Sequence, residues 1–148
     1  MPYIENLIQQ GFLHSPEIIK AFQKVDRANF LPSDWQGYSE ANQALPIGYG
    51  QTISQPLVVA FMLEELQPKK GQLILDIGAG SGWTTSLLAE IVGPKGRVVS
   101  VEVVANLCLF GRENVEKLGF KNVVFRCGHW QKVVKAEERF ERILFSSG

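Results

Sequence analysis

The segment from Leu73 to Glu102 constrains the fold more than any other part of this sequence. It begins with the apolar run 73–77, which predicts a buried strand. Glycines at positions 78, 80 and 82 follow, and they predict a tight turn in which a ligand can approach bare backbone. A second strand, 98–101, leads to Glu102, which lies twenty residues after Gly82. Strand, glycine turn, helix, strand and acid form the layout of a nucleoside-binding βαβ unit.

The rest of the chain repeats this alternation of strands and helices. Further strands are predicted at 122–127 and 142–146, and helices at 3–10, from Pro16 onward, at 56–66, 83–92 and 105–118. Residues 32–50 show little periodicity and are predicted to form a long loop. The pattern predicts one α/β domain over residues 1–148 with a parallel, Rossmann-like sheet. Residues 1–55 would form N-terminal helices and a substrate-side loop, and residues 56–148 the cofactor-binding core.

Composition excludes several classes of function. The 148 residues carry no formal net charge, which argues against nucleic-acid binding, and no apolar run approaches the roughly 18 residues of a membrane span. No secretory signal is visible, and Cys108 and Cys127 are expected to be buried free thiols, so a cytoplasmic location is expected. The run 132–142 is interpreted as a solvated loop. No metal site is predicted.

The charge of the turn indicates which nucleotide would bind. The spacing is Gly-x-Gly-x-Gly, and Trp83 stands where a dinucleotide fingerprint would have its third glycine. Asp76 precedes the turn, and its carboxylate would repel a pyrophosphate. A ligand with a sulfonium, an ammonium and a ribose fits better, which favours S-adenosylmethionine. Two alternatives stay open, namely that Asp76 only caps the turn and that a dinucleotide binds.

Two segments outside the glycine turn resemble a known family. Residues 45–56 (Leu-Pro-Ile-Gly-Tyr-Gly-Gln-Thr-Ile-Ser-Gln-Pro) and 25–32 (Val-Asp-Arg-Ala-Asn-Phe-Leu-Pro) are similar to the motifs of protein-L-isoaspartate O-methyltransferases, in register from Ile4 to Ser146. The resemblance implies class I methyltransferase chemistry on isoaspartyl residues of damaged proteins. It implies that Thr52 and Ser54 orient the acceptor carboxylate, although Ser54 could instead cap the helix at Pro56. That carboxylate is ionised at neutral pH, so no general base is required.

The same resemblance implies a set of cofactor-binding residues. Asp76, Gly78, Gly80 and Gly82 would line the methionine and ribose pocket, Ser81 would lie at the start of the helix, and Glu102 would hold the ribose. Val103 would pack on the adenine or belong to the core, and Gly128 and His129 would lie at the adenine. The family has Gly-Asp-Gly where this chain has Gly128-His129-Trp130. Because a neutral imidazole carries no negative charge, cofactor affinity is expected to be weaker than with aspartate. Trp130 would either stack on the adenine or fill space.

A second departure concerns the carboxyl-terminal side of the sheet. The family's sheet has about seven strands, and this chain supplies four. The last predicted strand, Arg142–Ser146, would be an unprotected edge through which two copies could associate. The chain is therefore expected to be a truncated or naturally short form. A methyltransferase with another acceptor and a catalytically impaired cofactor-binding module stay as alternatives.

Overall fold

The computed structural model describes residues 2–146, so the ends of the predicted domain, residue 1 and residues 147–148, lie outside the described residues. The helices are α1 (Pro2–Gln9), α2 (Pro16–Lys24), α3 (Pro56–Leu66), α4 (Trp83–Val92), α5 (Ala105–Lys117) and α6 (Trp130–Val133). The strands are β1 (Leu45–Gly48), β2 (Gln51–Ile53), β3 (Leu73–Ile77), β4 (Arg97–Glu102), β5 (Val123–Cys127) and β6 (Arg142–Phe145). Two 3-10 helices, Arg27–Phe30 and Ser33–Tyr38, connect α2 to β1.

The main sheet has the parallel order β5-β4-β3-β6. The chain places β4 and then β5 on one side of β3, and it returns to the other side of β3 for β6. Ligands of such sheets bind at the carboxyl ends of the strands, beside the point where the strand order reverses. Here the order reverses between β3 and β6, and the glycine turn directly follows β3.

Two hydrophobic cores cover the two faces of this sheet. In the larger core, the five helices from α1 through α5 pack against one face of the sheet, which contributes residues such as Ile74 and Val98. The smaller core contains Leu75, Val99 and Val101, and the segment of α6 and the residues after it pack against these side chains. Successive residues of β3 and β4 point to opposite faces of the sheet. Because consecutive residues of both strands are buried, both strands are covered on both faces. The predicted Rossmann-like fold is confirmed.

The predicted long loop, residues 32–50, is wrong in part. It contains the 3-10 helix Ser33–Tyr38 and the whole of β1, which pairs with β2 in an antiparallel hairpin. The connecting residues Gly48, Tyr49 and Gly50 all have positive φ. Strand β1 alternates buried and exposed residues over only four positions, and β2 has three residues without alternation, so both are too short for a clear strand signal in the sequence.

The expectation of two free thiols is also wrong. Cys108 and Cys127 form a disulfide with a Cα–Cα distance of 5.8 Å. Cys108 is buried on the face of α5 that packs toward the sheet, whereas Cys127 ends β5 and is exposed. The pair is separated by 19 residues, and only the packing of α5 beside β5 brings the two sulfurs together. Sequence spacing alone cannot show such a pairing.

The strand β6 forms one edge of the sheet within the described residues. Its side chains Ile143 and Phe145 are 49% and 59% exposed. The predicted apolar edge is therefore present, and association through it stays a prediction. Among the residues described, none of the helices has the length and apolar character needed to cross a membrane.

Candidate functional site

The glycine turn connects β3 to α4 and has the backbone that its sequence predicts. Gly78, Gly80 and Gly82 have φ of 84°, 57° and 98°, values that residues with a Cβ rarely adopt. The turn is fixed to the neighbouring strand, because the amides of Gly78 and Ala79 both donate to the carbonyl of Val101, at 2.8 and 3.1 Å. The main chain therefore passes close over the carboxyl ends of β3 and β4 with no side chain in between.

Helix α5 supports this turn through two residues that sequence reasoning missed. A Cβ on Gly111 would lie 2.6 Å from the carbonyl oxygen of Gly80, so the helix contacts the turn backbone to backbone. Asn114 is buried and donates from Nδ2 to the carbonyl of Ser81 at 3.0 Å. A glycine and an asparagine inside an otherwise helical pattern were the available signal, since such residues often have a packing reason.

Glu102 is the charged residue at the mouth of the site. It is 4% exposed, and its Oε1 accepts from the amide of Gly80 at 2.8 Å while its Oε2 accepts from the amide of Val104 at 3.0 Å. Each carboxylate oxygen has a second acceptor position, so two further hydrogen bonds from a ligand can be accommodated. The predicted carboxylate at the end of β4 therefore lies beside the turn, oriented by main-chain amides.

One pocket opens on the carboxyl ends of β4, β5 and β6, and we call it the open pocket. Its volume of about 540 Å³ lies within the roughly 300–1,000 Å³ of small-molecule sites. It is lined by Gln51, Ile77, Gly78, Val101, Glu102, Val103, Gly128, His129, Trp130, Phe145 and Ser146. The predicted residues Val103, Gly128 and His129 therefore come together with Glu102, although they follow different strands.

The aromatic wall of the open pocket comes from two segments. Trp130 lies edge-on to Phe145 with ring centroids 6.5 Å apart, and both side chains are partly exposed. His129 precedes α6 and its side chain does not cap that helix. The imidazole is therefore free of the helix backbone and available to a ligand.

A second pocket lies between the β1–β2 hairpin and the glycine turn, and we call it the narrow pocket. Its volume is about 20 Å³, which is room for about one water molecule. It is lined by Ile47, Gln51, Thr52, Ile53, Ser54, Gly78, Ala79, Gly80, Ser81, Trp83, Thr84, Glu102 and Ser146. The two pockets share Gln51, Gly78, Glu102 and Ser146, so they lie side by side, and we call them together the cleft.

Thr52 and Ser54 line the narrow pocket together with residues of the glycine turn, and their predicted role in orienting an acceptor stays a prediction. Neither hydroxyl makes a hydrogen bond to another residue of the range 2–146. The alternative that Ser54 caps α3 is wrong, because the cap position belongs to Gln55, and the free amide of Leu57 in the first turn donates to Oδ1 of Asn42 at 3.0 Å instead. Both hydroxyls are therefore available to a group bound in the narrow pocket.

Asp76 lies beneath the turn and lines neither pocket. It is completely buried, and its Oδ2 accepts from the hydroxyls of Thr84 and Thr85 at 2.9 and 2.8 Å. Its Oδ1 accepts from the hydroxyl of Ser146 at 2.6 Å. Burial raises the pKa of Asp76, and the three hydroxyls oppose that rise. Asp76 therefore ties the turn to α4 and β6, and its predicted contact with a ligand stays a prediction.

Ser146 was not among the predicted site residues. It follows β6, its amide donates to the carbonyl of Ile77 at 2.9 Å, and its side chain lines both pockets. The residue lies far from the turn in sequence, so only the return of the chain to β3 shows its role.

Gly82, which was predicted to line the cofactor pocket, lines neither pocket, and instead packs against Val115 and Gly111 of α5.

The reversed strand order, the glycine turn and the acid after β4 define a Rossmann-like domain of the class I methyltransferase type. The sequence model of the family described as protein-L-isoaspartate(D-aspartate) O-methyltransferase matches residues 2–148. This chain therefore belongs to the protein-L-isoaspartate O-methyltransferase family.

Individual relatives agree with this assignment. The protein-L-isoaspartate O-methyltransferase of Aeropyrum pernix is 45% identical over 82% of this chain and 46% of its own length. That of Methanopyrus kandleri is 39% identical over 98% of this chain and 65% of its own length. The chain therefore spans about half to two thirds of the length of these relatives.

Solved structures show the same fold. A protein-L-isoaspartate O-methyltransferase superimposes with a TM-score of 0.88 at 32% identity, over 97% of this chain and 46% of that one. A chain from Plasmodium falciparum in complex with S-adenosyl-L-homocysteine superimposes with a TM-score of 0.74 at 25% identity. That second match covers 84% of this chain and 61% of the other.

Proposed function

We propose that this protein transfers a methyl group from S-adenosylmethionine to the α-carboxylate of L-isoaspartyl residues in damaged proteins. The observation that carries the proposal is the cleft itself. It places the hydroxyls of Thr52 and Ser54 on one wall and the glycine turn with Glu102 on the other. Family membership supports the same reaction.

The residues of the cleft fit this cofactor. In the open pocket Glu102 can accept two hydrogen bonds from ribose hydroxyls, and Val103 offers an apolar surface for the adenine. The bare backbone at Gly78, which lines the open pocket, leaves room for the chain that carries the sulfonium. The buried carboxylates of Asp76 and Glu102 give the turn a negative potential, which suits a ligand with positive charge and no phosphate.

The side chains act by orientation and by exclusion of water. When bound, S-adenosylmethionine supplies an electrophilic methyl group on a sulfonium that leaves as a thioether. Thr52 and Ser54 can donate hydrogen bonds to one oxygen of the acceptor carboxylate and leave the other directed at the turn. No proton moves, because the carboxylate is already ionised. The buried side chains of Ile47 and Ile53 keep the narrow pocket poor in water, which favours a step in which two opposite charges disappear.

A methyl-transfer assay with an isoaspartyl peptide and its aspartyl counterpart tests the proposal. We expect turnover on the isoaspartyl peptide alone. Ser54→Ala is expected to lower kcat by about 10-fold or more, since orientation of the acceptor is lost. Ser33→Ala, which changes an exposed hydroxyl outside the cleft, is the matched control and is expected to leave kcat unchanged.

Two other outcomes would redirect the assignment. Cofactor binding without turnover on either peptide would favour a catalytically impaired cofactor-binding module. Turnover on both peptides alike would favour a different acceptor. The catalytically impaired module needs this direct test because the chain matches only part of the length of each relative.

The two parts of the chain divide this work in our proposal. Residues 1–55 supply the acceptor side of the cleft, through Thr52 and Ser54, and residues 56–148 supply the cofactor side. The pocket linings support this division, because the walls of the narrow pocket come from the hairpin and from the glycine turn. Gln51 is the exception, since it belongs to the hairpin and reaches the open pocket.

Self-association through β6 is a further part of the proposal. The exposed side chains of Ile143 and Phe145 on an edge strand support it, since unpaired strand edges invite pairing. Sedimentation velocity is expected to show a dimer that Ile143→Lys dissociates. A wild-type chain that sediments as a stable monomer would contradict this.

A cytoplasmic location is also proposed, and it is supported by the use of an intracellular cofactor. The disulfide Cys108–Cys127 removes the support that free thiols would have given. Cell fractionation followed by thiol labelling of Cys127 would test the location and the redox state together.

A further inference from the structure

Arg27 is a buried cation that the proposed chemistry does not use. It is 0% exposed and begins the 3-10 helix Arg27–Phe30. Its guanidinium donates to four main-chain carbonyls of the 39–54 segment. Nη1 donates to Ser39 and Ala41 at 3.1 and 3.0 Å, and Nη2 donates to Gln43 and Ser54 at 2.7 and 3.0 Å.

No carboxylate of the range 2–146 forms an ion pair with this guanidinium. Its other contact is the ring of Trp83, whose centroid lies 5.2 Å from Cζ. Burial lowers the pKa of Arg27 to about 10, so the side chain keeps its charge at neutral pH. Burying a charge without a paired counterion is costly, and the four carbonyl dipoles and the aromatic face offset part of that cost, together with the charge of Glu40.

The partners of Arg27 lie on both walls of the narrow pocket. Ser54 belongs to the acceptor wall, and Arg27 binds its carbonyl oxygen directly. Trp83 is the first residue of α4, directly after the glycine turn, and it lines the same pocket. The guanidinium of Arg27 therefore connects Ser54, on the acceptor wall, with Trp83, on the cofactor side of the cleft.

We propose that Arg27 is a positioning residue that fixes the distance and orientation of Ser54 relative to the glycine turn. The inference rests on the proposed function, since it assigns Arg27 a role in alignment of the acceptor. The planar guanidinium is required, because its two Nη groups donate four hydrogen bonds, whereas a lysine ammonium has three donors and cannot span four carbonyls. Arg27 is 0% exposed and lines neither pocket, so it would act on the acceptor through Ser54 and not by direct contact.

The variant Arg27→Lys keeps the charge and removes the fork. We expect the cofactor affinity, measured by titration with S-adenosylhomocysteine, to stay within about twofold of the wild type. We expect kcat on the isoaspartyl peptide to fall by 10-fold to 100-fold, because a displacement of about 1 Å has an effect of that order. The KM for the peptide is expected to change less than kcat.

The matched control is Arg142→Lys. Arg142 also donates to a main-chain carbonyl, that of Leu66 at 2.9 Å, and it lines neither pocket. The control is expected to keep kcat within twofold. Equal losses of kcat in both variants, or a loss in Arg27→Lys that follows the fall in thermal stability, would reduce Arg27 to a structural role and overturn the proposal.

Amide hydrogen exchange separates this proposal from the proposed function. In Arg27→Lys the peptides that cover residues 39–54 are expected to exchange at least 10-fold faster, while those that cover 73–102 keep the wild-type rate. A wild-type protein that methylates no peptide would refute the proposed function, and exchange would still decide the role of Arg27. Unchanged protection of residues 39–54 would overturn the positioning role.

A second variant covers the case in which Arg27→Lys does not fold. Trp83→Phe keeps an aromatic face for the guanidinium and all four carbonyl partners, but it weakens the attraction. We expect a smaller fall in kcat, of several-fold, with faster exchange of residues 39–54. Wild-type kcat and wild-type exchange in Trp83→Phe would overturn the coupling between the two walls.

Discussion

The contact between Gly111 and Gly80 makes a sharp prediction about the cofactor site. In Gly111→Ala the new Cβ would lie 2.6 Å from the Gly80 carbonyl oxygen and 3.1 Å from Cε1 of Phe125. The nearest atom belongs to backbone, so it cannot move aside by a change of rotamer. Either α5 or the glycine turn must shift, and the change is expected to affect both stability and ligand binding.

The magnitude follows from two opposing effects. Overpacking of this kind costs about 1–3 kcal/mol, and the better helix propensity of alanine returns up to about 1 kcal/mol. A net loss of about 1–2 kcal/mol corresponds to a fall in Tm of about 3–6 °C for a chain of this length. Because the Gly80 amide orients Glu102, we expect about tenfold weaker binding of S-adenosylhomocysteine, which corresponds to about 1.4 kcal/mol.

Thermal unfolding, monitored by circular dichroism, measures the change in Tm. Titration calorimetry measures the change in affinity for S-adenosylhomocysteine. Gly37→Ala is the matched control, because it adds the same methyl group in a 3-10 helix where no atom lies within 4 Å. A Gly111→Ala variant that is as stable as Gly37→Ala and binds the ligand with wild-type affinity would refute the reasoning. It would mean that α5 can retreat from the turn at no cost.

Three further predictions concern residues around this site. His129→Asp is expected to bind S-adenosylhomocysteine about tenfold more tightly, since a carboxylate can accept a charge-assisted hydrogen bond from the adenine amino group; unchanged or weaker binding would contradict this. Reduction of the Cys108–Cys127 disulfide is expected to lower the free energy of unfolding by about 3 kcal/mol for a separation of 19 residues, and a Cys127→Ser variant should show no further loss on reduction. The side-chain hydrogen bond from Arg126 lowers the pKa of Glu138 from 4.5 to about 2, so its stabilisation is fully present above pH 4.5 and is lost as the pH falls towards 2. Urea unfolding of the wild type and Glu138→Gln should therefore differ at pH 6 and converge at low pH, and a difference independent of pH would argue against this linkage.

The βαβ unit could be predicted from the sequence because its signals are local. Strand β3 and helix α4 have the bounds that the apolar run, the glycines and Gly93 indicate. Glu102 lies where its distance from the turn predicts, because a βαβ unit has nearly fixed dimensions. The residues of the site that belong to this unit were therefore within reach of sequence reasoning.

The features that were missed depend on contacts between distant parts of the chain. Ser146 joins the site because β6 returns to β3, and Cys108 meets Cys127 because α5 packs beside β5. Asp76 has a structural role that its charge did not indicate, since three hydroxyls donate to its oxygens. Arg27 lay in a quoted motif, but its role needed the positions of four carbonyls that sequence does not give.

The unequal size of the two pockets bears on the order in which ligands bind. The open pocket, at about 540 Å³, can admit a nucleoside as it stands. The narrow pocket has room for about one water molecule, so it has to widen before the proposed acceptor carboxylate can enter. The shared wall at Gly78 and Glu102 means that the first ligand to bind shapes the space left for the second. A cleft built in this way favours compulsory-order kinetics, with the nucleoside bound before the acceptor and released after the product.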